Sequence, residues 1–173
     1  MTDRTFQTWL ERQYVDGIAL TEKSPAVRLQ PARGSPPVEY FAEFEFRTLV
    51  KLGESVQETT GFAVYLRFAE DYLRRIPDPS FVIGLLRPGS IFHPNVRFGC
   101  ICLGRLAPGT PLVDVLYQAH EILTWQRFAL DNPLDPDASA WASRNLKRFP
   151  IDNRPLSWQA PSRDVAALEV HDK

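Results

Sequence analysis

The 173-residue chain carries 20 basic and 21 acidic side chains, a formal net charge of −1, and 44% hydrophobic residues. That near-balance excludes a global field drawing it to nucleic acid or membrane, and it supplies enough apolar material for one domain with its own core. No apolar run approaches the roughly 20 residues of a membrane helix, Met1-Thr2-Asp3-Arg4 opens no secretory signal, and two cysteines are too few for a disulfide framework, so a reducing cytoplasm is the expected setting.

Thr5 to Ile18 places Phe6, Trp9, Leu10, Tyr14 and Ile18 at helical spacing, with Arg4, Glu11, Arg12 and Asp16 on the other face and Gly17 near the expected end. Ser24 to Pro31 reads as a short strand with Val27 and Leu29 inward, followed by a loop at Arg33-Gly34-Ser35-Pro36-Pro37. Val38 to Leu49 alternates, with Val38, Tyr40, Ala42, Phe44 and Phe46 on one face and Phe41 the one exception, as a half-buried antiparallel strand should. Gly53 to Thr60 is polar and reads as a connection; beyond Gly61 a second alternating run puts Phe62, Val64, Leu66 and Phe68 on one side. Tyr72 to Pro79 is a rigid crossing containing two prolines, and Phe81 to Leu86 is a shorter apolar run.

After residue 103 the period changes. Leu112, Val115, Leu116, Ala119, Ile122 and Leu123 mark a helix opening at Pro111. A turn-rich loop, Asp131 to Pro136, precedes a second helix over Asp137 to Phe149, with Trp141, Ala142 and Leu146 expected inward. Prolines at 150, 155 and 161 interrupt the C-terminal residues, so the chain divides into a domain over 1–150 and a tail over 151–173, in which Trp158 is expected to dock and Asp164 to Lys173 to form a helical end. Strands in succession followed by helices argue an α+β fold with an antiparallel sheet.

Between these runs lies the stretch richest in reactive groups, Ile91-Phe92-His93-Pro94-Asn95-Val96-Arg97-Phe98-Gly99-Cys100-Ile101-Cys102-Leu103. Free cysteine is commonly a buried core residue, and as a thiolate it is also a nucleophile. If the segment is extended, Cys100 and Cys102 face the same side, and spacing alone does not choose between them. Zinc held by both cysteines and His93, with His120, is a rival use, although structural sites favour wider C-x₂₋₄-C spacing.

His93-Pro94-Asn95 followed by Ile101-Cys102-Leu103 resembles the active-site signature of ubiquitin-conjugating enzymes. The surrounding order is similar too: an N-terminal helix, a meander, a proline-rich crossing before the signature, and afterwards a long helix and Asn132-Pro133-Leu134-Asp135-Pro136, which resembles the family's N-P-x-D-P loop. The likeness covers Thr5 to Phe149. It implies a ubiquitin-conjugating-enzyme-like fold with an N-terminal helix, a four-stranded antiparallel meander and two C-terminal helices. The segment from H-P-N to the cysteine is about one residue shorter than is usual, Gly104 replaces a common acidic residue, and the tryptophan often found shortly after the cysteine is absent. These departures imply a divergent, bacterial-type member serving a ubiquitin-like pathway; some such bacterial systems are linked to phage defence.

The resemblance implies that Cys102 accepts a ubiquitin-like modifier as a thioester from an activating enzyme and passes it to an amine, normally a lysine, of a target protein, with no cofactor or metal. A ligase takes part in many such systems. Asn95 would stabilise the oxyanion or hold the active-site loop, against the plainer reading of a turn asparagine bonding its own backbone. His93 would shape the turn and Pro94 would fix its backbone; Cys100 would be a packing residue or one that supports Cys102 from beside it. Asp135 would orient the attacking amine, and its plainer reading is a helix N-terminal aspartate or an Asx turn before Asp137. Arg4 and Arg12 would meet the activating enzyme, and Leu73, Ile76, Pro108 and Gly109 a ligase, with simple core packing the equal alternative for the apolar ones. The alternative is a non-catalytic scaffold of the same fold that binds the modifier.

Overall fold

The computed structural model describes residues 3–157, so the expected docking of Trp158 and the helical end over Asp164 to Lys173 lie outside the described residues. Helix α1 (Arg4–Lys23) is capped by the Asp3 side chain, which accepts from the Thr5 N–H at 3.0 Å. It runs past Gly17, the expected stop. A Cβ at Gly17 would lie 2.6 Å from Leu29 Cδ2 and 3.0 Å from Leu112 Cδ2, so the glycine marks a close helix crossing and not a terminus.

Six strands follow in one antiparallel sheet: β1 (Val27–Gly34), β2 (Pro37–Leu52), β3 (Ser55–Arg67), β4 (Ile83–Arg87), β5 (Val96–Arg97) and β6 (Cys100–Ile101), in spatial order β1-β2-β3-β4-β6-β5. The four-stranded expectation is thus corrected to six, because Val96 to Ile101 folds into a small hairpin on the far edge. The polar stretch Gly53 to Thr60 is also not a connection. Leu52 pairs with Ser55 across a tight turn, and β3 begins at Ser55. Its first half is mostly exposed, which erases the alternation expected of a half-buried strand.

Inward residues of β2 and β3 form the main core with α1 and with α3 (Leu112–Leu123); Tyr40, Ala42, Phe44, Phe46, Phe62, Val64, Leu66 and Phe68 are all buried. Phe41 projects from the opposite face against Tyr65. The α3 positions Leu112, Val115, Leu116, Ala119, Ile122 and Leu123 are buried as the spacing predicts. Pro111 offers no side-chain cap to α3, and the buried Gln13 of α1 supplies it, its Oε1 accepting the Leu112 N–H at 2.9 Å. Between the strands, the Phe81 to Leu86 run splits into the short helix α2 (Pro79–Val82) and β4, leaving Phe81 80% exposed.

A second core forms beneath the central stretch from Leu49, Phe92, Trp125, Ala138, Ala142 and Ile151. The helix expected over Asp137 to Phe149 is shorter: α4 (Pro136–Ser143), then a 3₁₀ turn at Leu146–Arg148. Asn145 Nδ2 donates to the Trp141 carbonyl at 2.8 Å, competing with helix continuation, and Leu146 is 55% exposed instead of inward. Beyond residue 150, Ile151, Asp152 and Leu156 are buried. The Asp152 carboxylate accepts the Arg47 backbone N–H at 2.9 Å and the Arg154 guanidinium at 2.7 Å, while Arg154 also reaches the Glu45 carbonyl at 2.8 Å. No described helix is long and apolar enough to cross a membrane.

Burial gives this fold a definite pH dependence. It pushes the His93 pKa down to about 3, and that of His120, ring-packed on Phe46 and partly compensated by Asp152, down to about 4. Both lie below the unfolded value near 6.5, so between those limits the unfolded chain binds protons that the folded one refuses. Their stabilisation is whole above pH 6.5 and is lost as pH falls, at up to about 1.4 kcal/mol per pH unit for each histidine. Asp152 acts in the same direction lower down: desolvation opposes its charge, but the Arg154 and Arg47 bonds hold its pKa at about 2. Calorimetry from pH 7 to 4 should show a steadily falling midpoint, with a shallower fall in His93→Gln. A flat profile would contradict the assignment.

Candidate active site

The site is built on the second core. Phe92 donates its N–H to the Leu49 carbonyl at 2.8 Å, pinning the chain to β2. His93 is fully buried, with its ring 4.4 Å from that of Trp125, and its Nδ1 accepts the Asn95 N–H at 2.9 Å. That bond makes the imidazole neutral with its proton on Nε2. Nε2 has no partner within hydrogen-bonding geometry, although the nearby Arg127 backbone slightly offsets the burial. With Nδ1 occupied and charge disfavoured, His93 shapes the turn and is not placed to act as a base.

The H-P-N turn closes through Val96 N–H to the His93 carbonyl at 3.0 Å and leads into the β5–β6 hairpin. Its two loop residues, Phe98 and Gly99, both have positive φ (50° and 81°), as a type I′ turn requires. Glycine accepts this without cost, whereas a side-chain-bearing residue there loses about 1 kcal/mol. Phe98 is also 90% exposed.

From the hairpin the chain returns beside Asn95. Cys102 N–H donates to the Asn95 carbonyl at 2.8 Å, and Asn95 Nδ2 donates to the Cys102 carbonyl at 3.4 Å. Asn95 Oδ1 meanwhile accepts the Ala129 N–H at 3.1 Å, tying in the loop after α3. The asparagine therefore holds the cysteine-bearing segment, and its amide carries a second N–H beyond the one given to Cys102. Ile101 and Leu103 are buried, Cys102 is half-buried and Cys100 exposed, so both thiols lie on the outward side of this segment. Of the two readings of Cys100, packing is not what the fold shows: inward positions alternate with the cysteines, and Cys100 sits opposite Arg97 at the sheet surface.

The acidic loop docks on the same turn. Leu134 and Asp135 both donate their backbone N–H to the Pro94 carbonyl, at 2.8 and 3.1 Å. Asp135 is the N-cap of α4, its Oδ1 accepting from Asp137 and Ala138 at 3.0 and 3.1 Å. Both bonds fall on one oxygen, and Oδ2 has no hydrogen-bond partner among the described residues. Capping and orienting an amine are thus compatible. The rival metal set is not gathered: His93 and His120 are buried while the cysteines face outward, and among the described residues no three His, Cys, Asp or Glu side chains converge as ligands.

Sequence reasoning brought together Asn95, Cys102, Pro94 and Asp135, and the fold places them around one turn. It missed Arg97, whose Nη1 donates to the Leu134 carbonyl at 3.2 Å, and Trp125, which backs His93 at a positive φ of 63°. A Phe-Gly pair between two short polar-apolar steps was the available hairpin signal for the first; a lone tryptophan past a helix end gave none for the second. No protein-family model matches the chain, and no curated protein matches it.

Proposed function

We propose that this chain is a cysteine-dependent conjugating enzyme for a ubiquitin-like modifier, with a ubiquitin-conjugating-enzyme-like fold. The observation that carries the proposal is the reciprocal bonding of Asn95 with Cys102 on a turn whose Pro94 carbonyl also receives the Asp135 loop. Landmarks separated by up to forty residues in sequence would have no reason to share one turn if each were incidental.

In the charging step the Cys102 thiolate attacks the thioester carbonyl of the modifier on its activating enzyme. The tetrahedral intermediate collapses by breaking the bond to the donor sulfur, which leaves as thiolate. In the transfer step an amine nitrogen attacks the Cys102 thioester, the C–S bond breaks, and the amine proton passes to solvent or a nearby base. A thioester keeps the acyl group activated, so this step needs no further energy source. The second N–H of the Asn95 amide is the group available to the developing oxyanion.

Asp135 bears on the amine. At pH 7 only roughly one lysine in two thousand is neutral, from a pKa of about 10.4. The free Asp135 Oδ2 can accept an N–H and orient the nitrogen. Its negative charge raises the amine pKa, so deprotonation has to come from desolvation as the target covers the site. Asp135→Asn keeps a good N-cap and removes the charge, whereas Asp135→Ala also loses about 1 kcal/mol of cap stability. We expect Asp135→Asn to melt as the parent does and to transfer to lysine about tenfold more slowly, less than the roughly hundredfold low end of proton-transfer effects because the carboxylate orients the amine and does not deprotonate it. A parent-like rate in Asp135→Asn would leave capping as the residue's whole role.

Partner surfaces accord with the same reading. Arg4 and Arg12 lie exposed on α1, the face proposed for the activating enzyme. The Tyr72 to Pro79 crossing and the Ala107 to Pro111 loop meet through Tyr72, whose carbonyl accepts the Gly109 N–H at 3.0 Å and whose hydroxyl donates to the Thr110 carbonyl at 2.9 Å. Exposed Ile76 beside them suits a ligase contact. Function is tested by offering the protein a peptide thioester ending in Gly-Gly and following acyl transfer onto Cys102, then onto added lysine.

A further inference from the structure

Phe98 is the residue least explained by stability. Its ring is 90% exposed and its backbone adopts a φ of 50° that suits glycine or asparagine, so neither burial nor backbone preference accounts for it. What the ring does meet is the guanidinium of Arg97, whose Cζ lies 4.9 Å from the ring centroid. Arg97 in turn spans from the hairpin to the acidic loop, with Nη1 donating to the Leu134 carbonyl at 3.2 Å. Leu134 is the residue before Asp135, and Arg97 pairs in register with Cys100 on the strand that leads directly into Cys102. The acidic loop is therefore fastened at two points: by backbone bonds to Pro94, and by one side chain from the thiol-bearing hairpin.

We propose that Arg97, steadied by Phe98, is a positioning residue for the amine-transfer step, holding the Asp135 loop in register with the Cys102 thioester. The proposal rests on the conjugating-enzyme reading. A planar guanidinium suits the task because it can lie over the ring with one face while its edge donates to the carbonyl; an ammonium has no planar face with which to do both at once. Charging needs the thiol but no oriented amine, so Arg97 acts on one half-reaction and leaves the other.

The test loads the full chain from a synthetic peptide thioester ending in Gly-Gly and follows loss of the acyl group to free lysine or to hydroxylamine. Hydroxylamine is already neutral at pH 7 and needs no carboxylate to orient it. Arg97→Ala should load normally, melt as the parent does, and transfer to lysine about tenfold more slowly through the maximal rate, short of the roughly hundredfold loss of a 1 Å misplacement. Its rate with hydroxylamine should be unchanged. Arg97→Lys should recover part of the lysine rate and Phe98→Ala should lose a smaller part. In an Asp135→Asn background, Arg97→Ala should add nothing, since both act through one carboxylate. Equal slowing with both nucleophiles, or multiplying effects of the two substitutions, would overturn the proposal. So would a normal lysine rate in Arg97→Ala, while leaving the conjugating-enzyme reading intact. Failure of the parent chain to load on Cys102 would remove that reading and this proposal together.

Discussion

Cys102→Ala should abolish loading from a Gly-Gly peptide thioester, and Cys102→Ser should give either no adduct or an oxyester that survives thiol reductants. Cys100→Ala should load at close to the parent rate. The contrast matters because exposure alone favours the wrong residue: Cys100 is exposed and Cys102 only half-buried. What singles out Cys102 is its backbone, held by two hydrogen bonds to Asn95, whose side-chain amide lies beside it. Cys100 has a strand partner on each side, Gly84 and Arg97, and among the described residues no side-chain amide bonds its backbone. A preorganised donor accelerates acyl transfer, whereas simple accessibility changes only the rate of encounter. Loading that is lost in Cys100→Ala and retained in Cys102→Ala would reverse the assignment.

Asn95→Ala should slow transfer from the loaded enzyme by about a hundredfold, the effect of one oxyanion donor worth on the order of 3 kcal/mol. It also removes the acceptor of the Ala129 N–H, so part of the loss could come from a loosened loop. Asn95→Asp separates the two roles. It keeps an oxygen for Ala129 and removes the N–H, so it should be at least as slow as Asn95→Ala while the Ala129 amide stays protected in hydrogen exchange. A parent-like rate in Asn95→Asp would show that the amide only holds the loop.

Local pattern carried the parts of this fold where one face is buried without interruption. The α3 spacing and the inward runs of β2 and β3 are of that kind, because Leu112 to Leu123, Tyr40 to Phe46 and Phe62 to Phe68 each meet the main core along their length. Elements that leave the core lost their signal: the outer half of β3 has no fully buried residue on either face, and the two-residue strands β5 and β6 are too short to have a period. Gly17 misled for a different reason, since close approach of Leu29 and Leu112 and helix termination call for the same residue. The segment after Pro150 reads as a tail because its anchors, Asp152 on Arg47 and Arg154 on Glu45, join positions more than a hundred residues apart. At the site, residue types and order were legible for Asn95, Cys102 and Asp135. The clasp of Arg97 on Leu134, and the outward turn of Cys100, depended on the register of a hairpin that the Phe98-Gly99 pair hints at and does not fix.

Whether Cys102 carries an acyl group as a thioester is decided by mapping the adduct on the parent protein. Trypsin cutting after Arg97 and Arg105 leaves both cysteines on one peptide, Phe98 to Arg105, so fragment ions between Cys100 and Cys102 have to locate the added mass. The expected result is a single acyl group on Cys102, formed faster than on the unfolded chain and released by thiol reductant. An adduct on Cys100, or loading no faster than that of the unfolded chain, would contradict it.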